Sequence, residues 1–285
     1  VTQPKLGIIC GGGELPTKVA QACISANRPF HVLALKGHAG DEVLQFPHSW
    51  ITFGKVGRLL AVLNDEACAD VVMIGNVRRP NFAQLAPDAA GIKLLPKIVA
   101  AARKGDDALL RALVGFFEGA GFHVVGVDDV IADIVGREGV QGAIRPSDDH
   151  WADIQRAIEV AREIGRLDIG QAAIVCGGVV LAVEAAEGTD AMLDRCADLP
   201  VEIRGTELAR RGVLVKLAKP IQERRVDLPT IGPPTIIKAA DAGLAGVAYE
   251  ADGSLLINPK EIIANADSSG LFVIGIGGDE PKSGN

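Results

Sequence analysis

A two-domain α/β protein is predicted, with a Rossmann-like parallel-sheet domain first and a second α/β domain built on a mixed sheet. Three observations lead there. The chain has 285 residues, 48% of them hydrophobic but only 4% aromatic, so Ala, Val, Ile and Leu must pack a core large enough for two domains. An apolar run from Leu6 to Cys10 meets Gly11-Gly12-Gly13 and then a helical pattern through Val19, Ala22 and Cys23, the opening strand–turn–helix unit of a nucleotide-binding sheet. The second half carries short strands and the tight link Gly177-Gly178 between two apolar runs, which marks antiparallel pairing. The expected division is 1–130 for the first domain, 131–146 for a linker with its hinge at Gly136 to Gly142, 147–276 for a catalytic second domain, and 277–285 for a polar, disordered tail.

Taken in order, the first unit departs from a dinucleotide fingerprint at Pro16, which stands where the third glycine belongs and suits an early helical position. Phe30 to Leu35 reads as a second strand, closed by Lys36-Gly37 where a nicotinamide enzyme needs a ribose-binding acid. A helix from about Lys55 to Ala67 puts Leu59, Leu60, Val62 and Leu63 on one face. Asp70 opens a third strand, Val71 to Ile74, whose end carries Gly75-Asn76-Val77-Arg78-Arg79-Pro80. Helices follow over roughly 93–102 and 106–120, then a strand from Phe122 to Val127 with His123 read as a hydrogen-bonded core histidine. Ser147 is placed to cap a helix running through Ile154, Ile158, Ala161 and Ile164. Ala172 to Cys176 and Val179 to Val183 are antiparallel strands, Thr189 caps a short helix, and Gly212 to Val215 is the next strand. Helices at 234–242 and 259–266 alternate with strands at 247–249, 255–257 and 271–276.

Composition excludes several classes. A net charge of −7 gives no domain-wide basic field to collect nucleic-acid phosphates. The five cysteines (Cys10, Cys23, Cys68, Cys176, Cys196) are scattered with no Cys-x-x-Cys pair, which reads as reduced, cytoplasmic thiols. No stretch approaches the ~20 apolar residues of a membrane span.

The polar chemistry concentrates between Val179 and Pro233. Glu184, Glu187 and Asp190 follow one apolar run; Lys216, Lys219, Glu223, Arg224, Arg225 and Asp227 follow another. Either group alone reads equally as a solvated loop or a site. Together, basic residues and hard carboxylate oxygens suit a phosphate held through Mg²⁺.

Four segments then carry a resemblance: Gly11 to Pro16, Gly75 to Pro80, V-E-x-x-E-G-T-D-x-M-x-x-R from Val183 to Arg195, and K-x-x-K-P-x-Q-x-x-R-x-D-x-P-x-I-G from Lys216 to Gly232. In this order they resemble the Mg²⁺-dependent UDP-2,3-diacylglucosamine diphosphatases of lipid A synthesis, of the Lpx type unrelated to calcineurin-like phosphoesterases. The resemblance implies hydrolysis of UDP-2,3-diacylglucosamine to UMP and 2,3-diacylglucosamine 1-phosphate, by an enzyme of the cytoplasm that touches the inner-membrane surface; the oligomeric state stays open, with a homodimer as one option. The resemblance carries the catalytic role to Asp227, whose job is either to hold Mg²⁺, with Glu223 or Asp190 as further candidate ligands, or to orient the attacking water. Substrate contacts fall to Gly11, Gly12, Gly13, Asn76, Val77, Thr189, Asp190, Lys216, Lys219 and Arg225, with the acyl chains expected in a groove between the domains. Glu223 departs from the family's usual Asp. Two further readings stand beside it: a non-catalytic binder of nucleotide sugars or acyl lipids, and a Mg²⁺/ATP ligase, although no Gly-x-x-x-x-Gly-Lys-Ser/Thr loop is present.

Overall fold

The apolar runs become the strands of two main sheets, and the computed structural model describes residues 3–78, 85–220 and 222–277. The chain divides into two units, Val1–Ala132 with Glu223–Asp227, and Asp133–Gln222 with Leu228–Asn285. Arg79 and Pro80, and the expected tail beyond Gly277, lie outside the described residues.

In the first unit β1 (Leu6–Cys10), β2 (Phe30–Leu35), β3 (His48–Ile51), β4 (Asp70–Ile74) and β5 (His123–Val124) form one parallel sheet in the order β3-β2-β1-β4-β5. Every β1 residue is buried, as a central parallel strand covered on both faces must be. Side chains alternate across it. Ile9, Leu33 and Val71 join Val62 and Leu63 of α2 (Val56–Asp65) and Val114 and Phe117 of α4 (Asp106–Gly119) in one core cluster. The unit also holds α1 (Leu15–Ser25), between β1 and β2, and α3 (Ala89–Ala102), started by the Asp88 side chain accepting from Gly91 N at 2.8 Å.

Two expectations here need correction. His123 is no core histidine: its side chain is 73% exposed and its Nδ1 lies 3.2 Å from Asp70 Oδ1, at the N-terminal rim of the sheet. The strand around it is two residues long, shorter than the apolar run Phe122 to Val127, because only His123 and Val124 pair with β4.

The second unit holds β6 (Gly139–Val140), β7 (Ala172–Cys176), β8 (Val179–Val183), β9 (Val213–Lys216), β11 (Gly246–Glu250) and β13 (Phe272–Ile276) in a mixed sheet ordered β6-β13-β11-β9-β7-β8. β10 (Thr230–Ile231) and β12 (Leu255–Leu256) pair separately. Helix α5 (Asp148–Arg166) covers one face through Ile154, Ala157, Ile158 and Ala161. Helices α6 (Gly188–Ala197), α7 (Pro233–Asp241) and α8 (Pro259–Ser269) cover the other through Met192, Ile236 and Ile262. Ser147 does cap α5, accepting from His150 N, and His150 Nδ1 takes the Ser147 N–H in return. The Gly177-Gly178 turn joins antiparallel β7 and β8, and the buried Asp153 carboxylate accepts both glycine N–H groups at 3.0 and 2.8 Å.

The expected hinge at Gly136 to Gly142 is built into this second sheet. Gly139 and Val140 pair with β13, and a Cβ on Gly136 would stand 2.4 Å from the ring of Tyr249. Glycine there admits a buried tyrosine whose hydroxyl donates to Arg137 O.

Candidate active site

In parallel sheets ligands gather at the C-terminal strand ends, and those of the first unit surround a cavity of about 600 Å³. Its walls are mainly aliphatic and aromatic: Ile9, Ile51 and Ile74 from the strands, Leu95 from α3, and Leu113 and Phe116 from α4. Its polar lining is supplied by Thr52, Lys55, Asn76, Arg78, Asp106 and Asp227. An apolar interior combined with a few polar groups suits an amphiphile.

The glycine loop supports this site differently from the expectation. Gly11 N donates to Ile74 O, while Gly12 and Asn76 exchange backbone N–H···O bonds at 3.0 and 2.8 Å. A Cβ on Gly11 would stand 2.3 Å from Asn76 O. The absence of a side chain there therefore lets two loops of the chain close on each other, so Gly11 and Gly12 hold Asn76 and Val77 in the lining rather than presenting bare N–H groups to a phosphate. Arg78 is fixed nearby by its own N–H, which meets His38 Nδ1 at 3.3 Å.

Asp227 reaches this cavity on a tight turn. Val226 N and Asp227 N both donate to Glu223 O at 3.1 Å. The Glu223 carboxylate accepts from Arg225 Nε and Nη2 at 2.8 and 3.0 Å, and Arg225 Nη1 reaches Glu118 Oε1 at 2.6 Å. This guanidinium holds Glu223 below the usual carboxylate range, and the two carboxylates raise Arg225 in turn. Glu223 and Arg225, expected as metal ligand and substrate contact, thus face each other, and the turn that carries them belongs to the first unit, not to the second domain where it was expected.

The remaining expected residues lie in the second unit, and the structure gives them internal partners. Lys216 is the last residue of β9, and the two-residue period turns it to the side of Leu214, toward α6. It is 6% exposed, and its Nζ donates to Thr189 Oγ1 at 2.9 Å and Thr230 O at 3.0 Å. Thr189 donates in turn to buried Glu184 at 2.6 Å, whose second oxygen takes Gln171 N at 3.1 Å. Thr189 is therefore inside α6 and no N-cap; Glu187 holds that position without a side-chain cap bond. Lys219 Nζ pairs with Asp168 at 2.7 Å, and Asp190 is exposed on the first turn of α6.

No group of three or more His, Cys, Asp or Glu side chains converges among the described residues. The donor set therefore does not make an all-protein cage. It fits an ion that arrives on phosphate oxygens and takes a single carboxylate, a common habit of Mg²⁺. Lys55, Asp106 and the α4 acids Asp107 and Glu118 escaped sequence reasoning. Strand β3 was the missing signal for Lys55, because its loop, Thr52 to Lys55, follows a strand end only once His48–Ile51 is recognised.

Fold and site together define an α/β enzyme-like protein with a carboxylate at an apolar cavity on the C-terminal edge of a parallel sheet. Residues 5–134 match the LpxI N-terminal domain and residues 137–274 the LpxI C-terminal domain. The chain is also 51% identical over 272 residues, 95% of its length and 97% of the relative's, to the UDP-2,3-diacylglucosamine pyrophosphatase LpxI of Caulobacter vibrioides. The chain belongs to the LpxI family. That finding corrects the open choice of functions: with a catalytic relative at this identity, neither the non-catalytic carrier nor the ATP-dependent ligase stands.

Proposed function

We propose that the chain is a UDP-2,3-diacylglucosamine pyrophosphatase, a hydrolase of lipid A biosynthesis, with Asp227 as its catalytic carboxylate. The observation that carries this reading is the position of Asp227 in the lining of an apolar cavity that Lys55, Asn76 and Arg78 also line. An acyl chain fits the cavity, where burial contributes about 0.8 kcal/mol per CH₂. In the reaction a water oxygen bonds to phosphorus, the bridging P–O bond breaks, and a water proton is taken up by Asp227 Oδ. Lys55 and Arg78 offset the charge that develops on the phosphate oxygens. Asp227 would also be the residue to hold a Mg²⁺ bound with the diphosphate, and the ion would supply further charge neutralisation there.

Among the described residues no helix is long and apolar enough to cross a membrane. A doubly acylated substrate then requires contact with the inner-membrane surface, and the reading includes that peripheral contact. The test is incubation of purified protein with UDP-2,3-diacylglucosamine, with Mg²⁺ and with EDTA, following conversion of the diphosphate to two monophosphates by mass spectrometry. Turnover with Mg²⁺ and its loss in EDTA are expected. No turnover with Mg²⁺ present, or equal turnover of an unacylated UDP-sugar, contradicts the reading.

A further inference from the structure

We infer that Asp107 and Glu118 of α4 are positioning residues: they dock the 223–227 turn and so hold Asp227 at the cavity. The inference rests on the catalytic role proposed for Asp227 and adds the machinery that places it. Five residues, Glu223 to Asp227, belong by their contacts with the first unit although the chain on either side belongs with the second. Such a short excursion has almost no secondary structure of its own, so its conformation depends on what grips it.

The grip comes from one helix. Asp107 is 4% exposed, and its Oδ1 accepts Glu223 N at 2.8 Å while Arg111 Nη2 sits 2.5 Å from Oδ2. Glu118 lies eleven residues further along α4, about three turns, which returns it to the same face. It takes Arg225 at 2.6 Å, and Arg225 is also forked onto Glu223. Between these two acids Val226 packs against the core cluster to which Val114 and Phe117 of α4 contribute. The hold on Asp227 is then one bond long: its N–H and that of Val226 both end on Glu223 O, the carbonyl of the residue that Asp107 pins.

The two acids are not equal. A buried carboxylate accepting a backbone N–H leaves an unsatisfied donor when removed, whereas the Arg225–Glu118 pair has side chains 38% and 44% exposed and contributes little by itself. Asp107 should therefore dominate. A purely structural role for Asp107, as an acid in the first turn of α4, would lower stability without freeing the turn.

The test uses the full-length protein with Asp107→Ala, Asp107→Asn and Glu118→Gln, each measured for tryptic cleavage after Arg224 and Arg225 by mass spectrometry, for kcat and KM, and for melting temperature. Asp107→Ala is expected to be cut at this turn at least about tenfold faster and to lose roughly tenfold to a hundredfold in kcat, the scale of a misplaced catalytic group, with KM within about threefold. Asp107→Asn keeps an acceptor oxygen and should restore most of both, and Glu118→Gln should show the same signs at a few-fold. Wild-type protection of the turn in Asp107→Ala, or fast cutting with wild-type kcat, overturns the inference. If Asp107→Ala does not fold, Glu118→Gln decides by the same two readouts. Proteolysis does not depend on activity, so if Asp227→Ala retained wild-type turnover, the functional reading would fail while the docking result still stood or fell on its own.

Discussion

The Glu184–Thr189–Lys216 cluster of the second unit and the Glu223–Arg225–Asp227 turn of the first look alike in sequence and differ in the structure. Each puts acids and bases after an apolar strand, the pattern expected of an exposed, chemical loop. Lys216 is instead the final residue of a strand, and its ammonium is consumed by Thr189 and the Thr230 carbonyl at 6% exposure. Asp227 is half-buried and lines a cavity of about 600 Å³. The difference teaches that charge near a strand end acquires its meaning from the pleat. A residue still paired in the sheet is turned inward or outward by the two-residue period, while one beyond the pairing goes where the turn takes it.

The largest effect that sharpens this contrast is on stability at Lys216. Lys216→Ala removes the cation from a buried network that retains the Glu184 carboxylate, and loss of about 3 kcal/mol or more is expected, read as a lowered urea midpoint with unchanged slope. Lys216→Met, which keeps the volume, should cost less than alanine. If Lys216→Ala instead raised KM at unchanged stability, the cluster would be a substrate site and the contrast would fail.

Lys219 tests the intermediate case. Its pair with Asp168 has side chains 13% and 16% exposed, so Lys219→Ala should lower stability by about 1 kcal/mol. Asp168→Asn should do the same, and the double mutant should be less than additive if the two groups act as a pair.

A smaller effect is shared by both units. Burial pushes the His31 imidazole of the first unit and the His150 imidazole of the second below the ordinary histidine value. A histidine held neutral in the fold takes up fewer protons than the unfolded chain, so stability is full above the ordinary value of about 6.5 and declines as pH falls through and below it. A melting temperature that drops between pH 7 and pH 5, less so in His31→Asn, is the expected result. A flat profile would remove this contribution.

Much of the fold was legible because strands write themselves as continuous apolar runs: β1, β2 and β4 of the parallel sheet stand where such runs stand, and so do β7 and β8, whose antiparallel pairing the Gly177-Gly178 link marked. The Ser147 cap was legible for the same local reason. Strand β6 was not, since Gly139–Val140 is two residues long and glycine there reads as a hinge. His123 lies in an apolar run, yet at the sheet rim, where its position in the run says nothing of burial. For the candidate site, the motif segments singled out Asn76, Val77 and Asp227, and all three line the cavity. Neither motif nor periodicity could show that five residues of the second half belong with the first, because that rests on long-range pairs such as Glu223 with Asp107 and Arg225 with Glu118. The glycines of the first loop were recognised, but the need for Gly11 comes from Asn76 O, a neighbour 65 positions further along the chain and adjacent only in the fold.

The central claim is that Asp227 carries chemistry and little stability. Measuring kcat and melting temperature of Asp227→Ala side by side tests it most directly. The account predicts a loss of about a hundredfold to ten-thousandfold in kcat, the usual range for a removed acid–base group, with a melting temperature within about 2 °C of wild type. Turnover within a few-fold of wild type, or a rate loss matched by an unfolded protein, would contradict it.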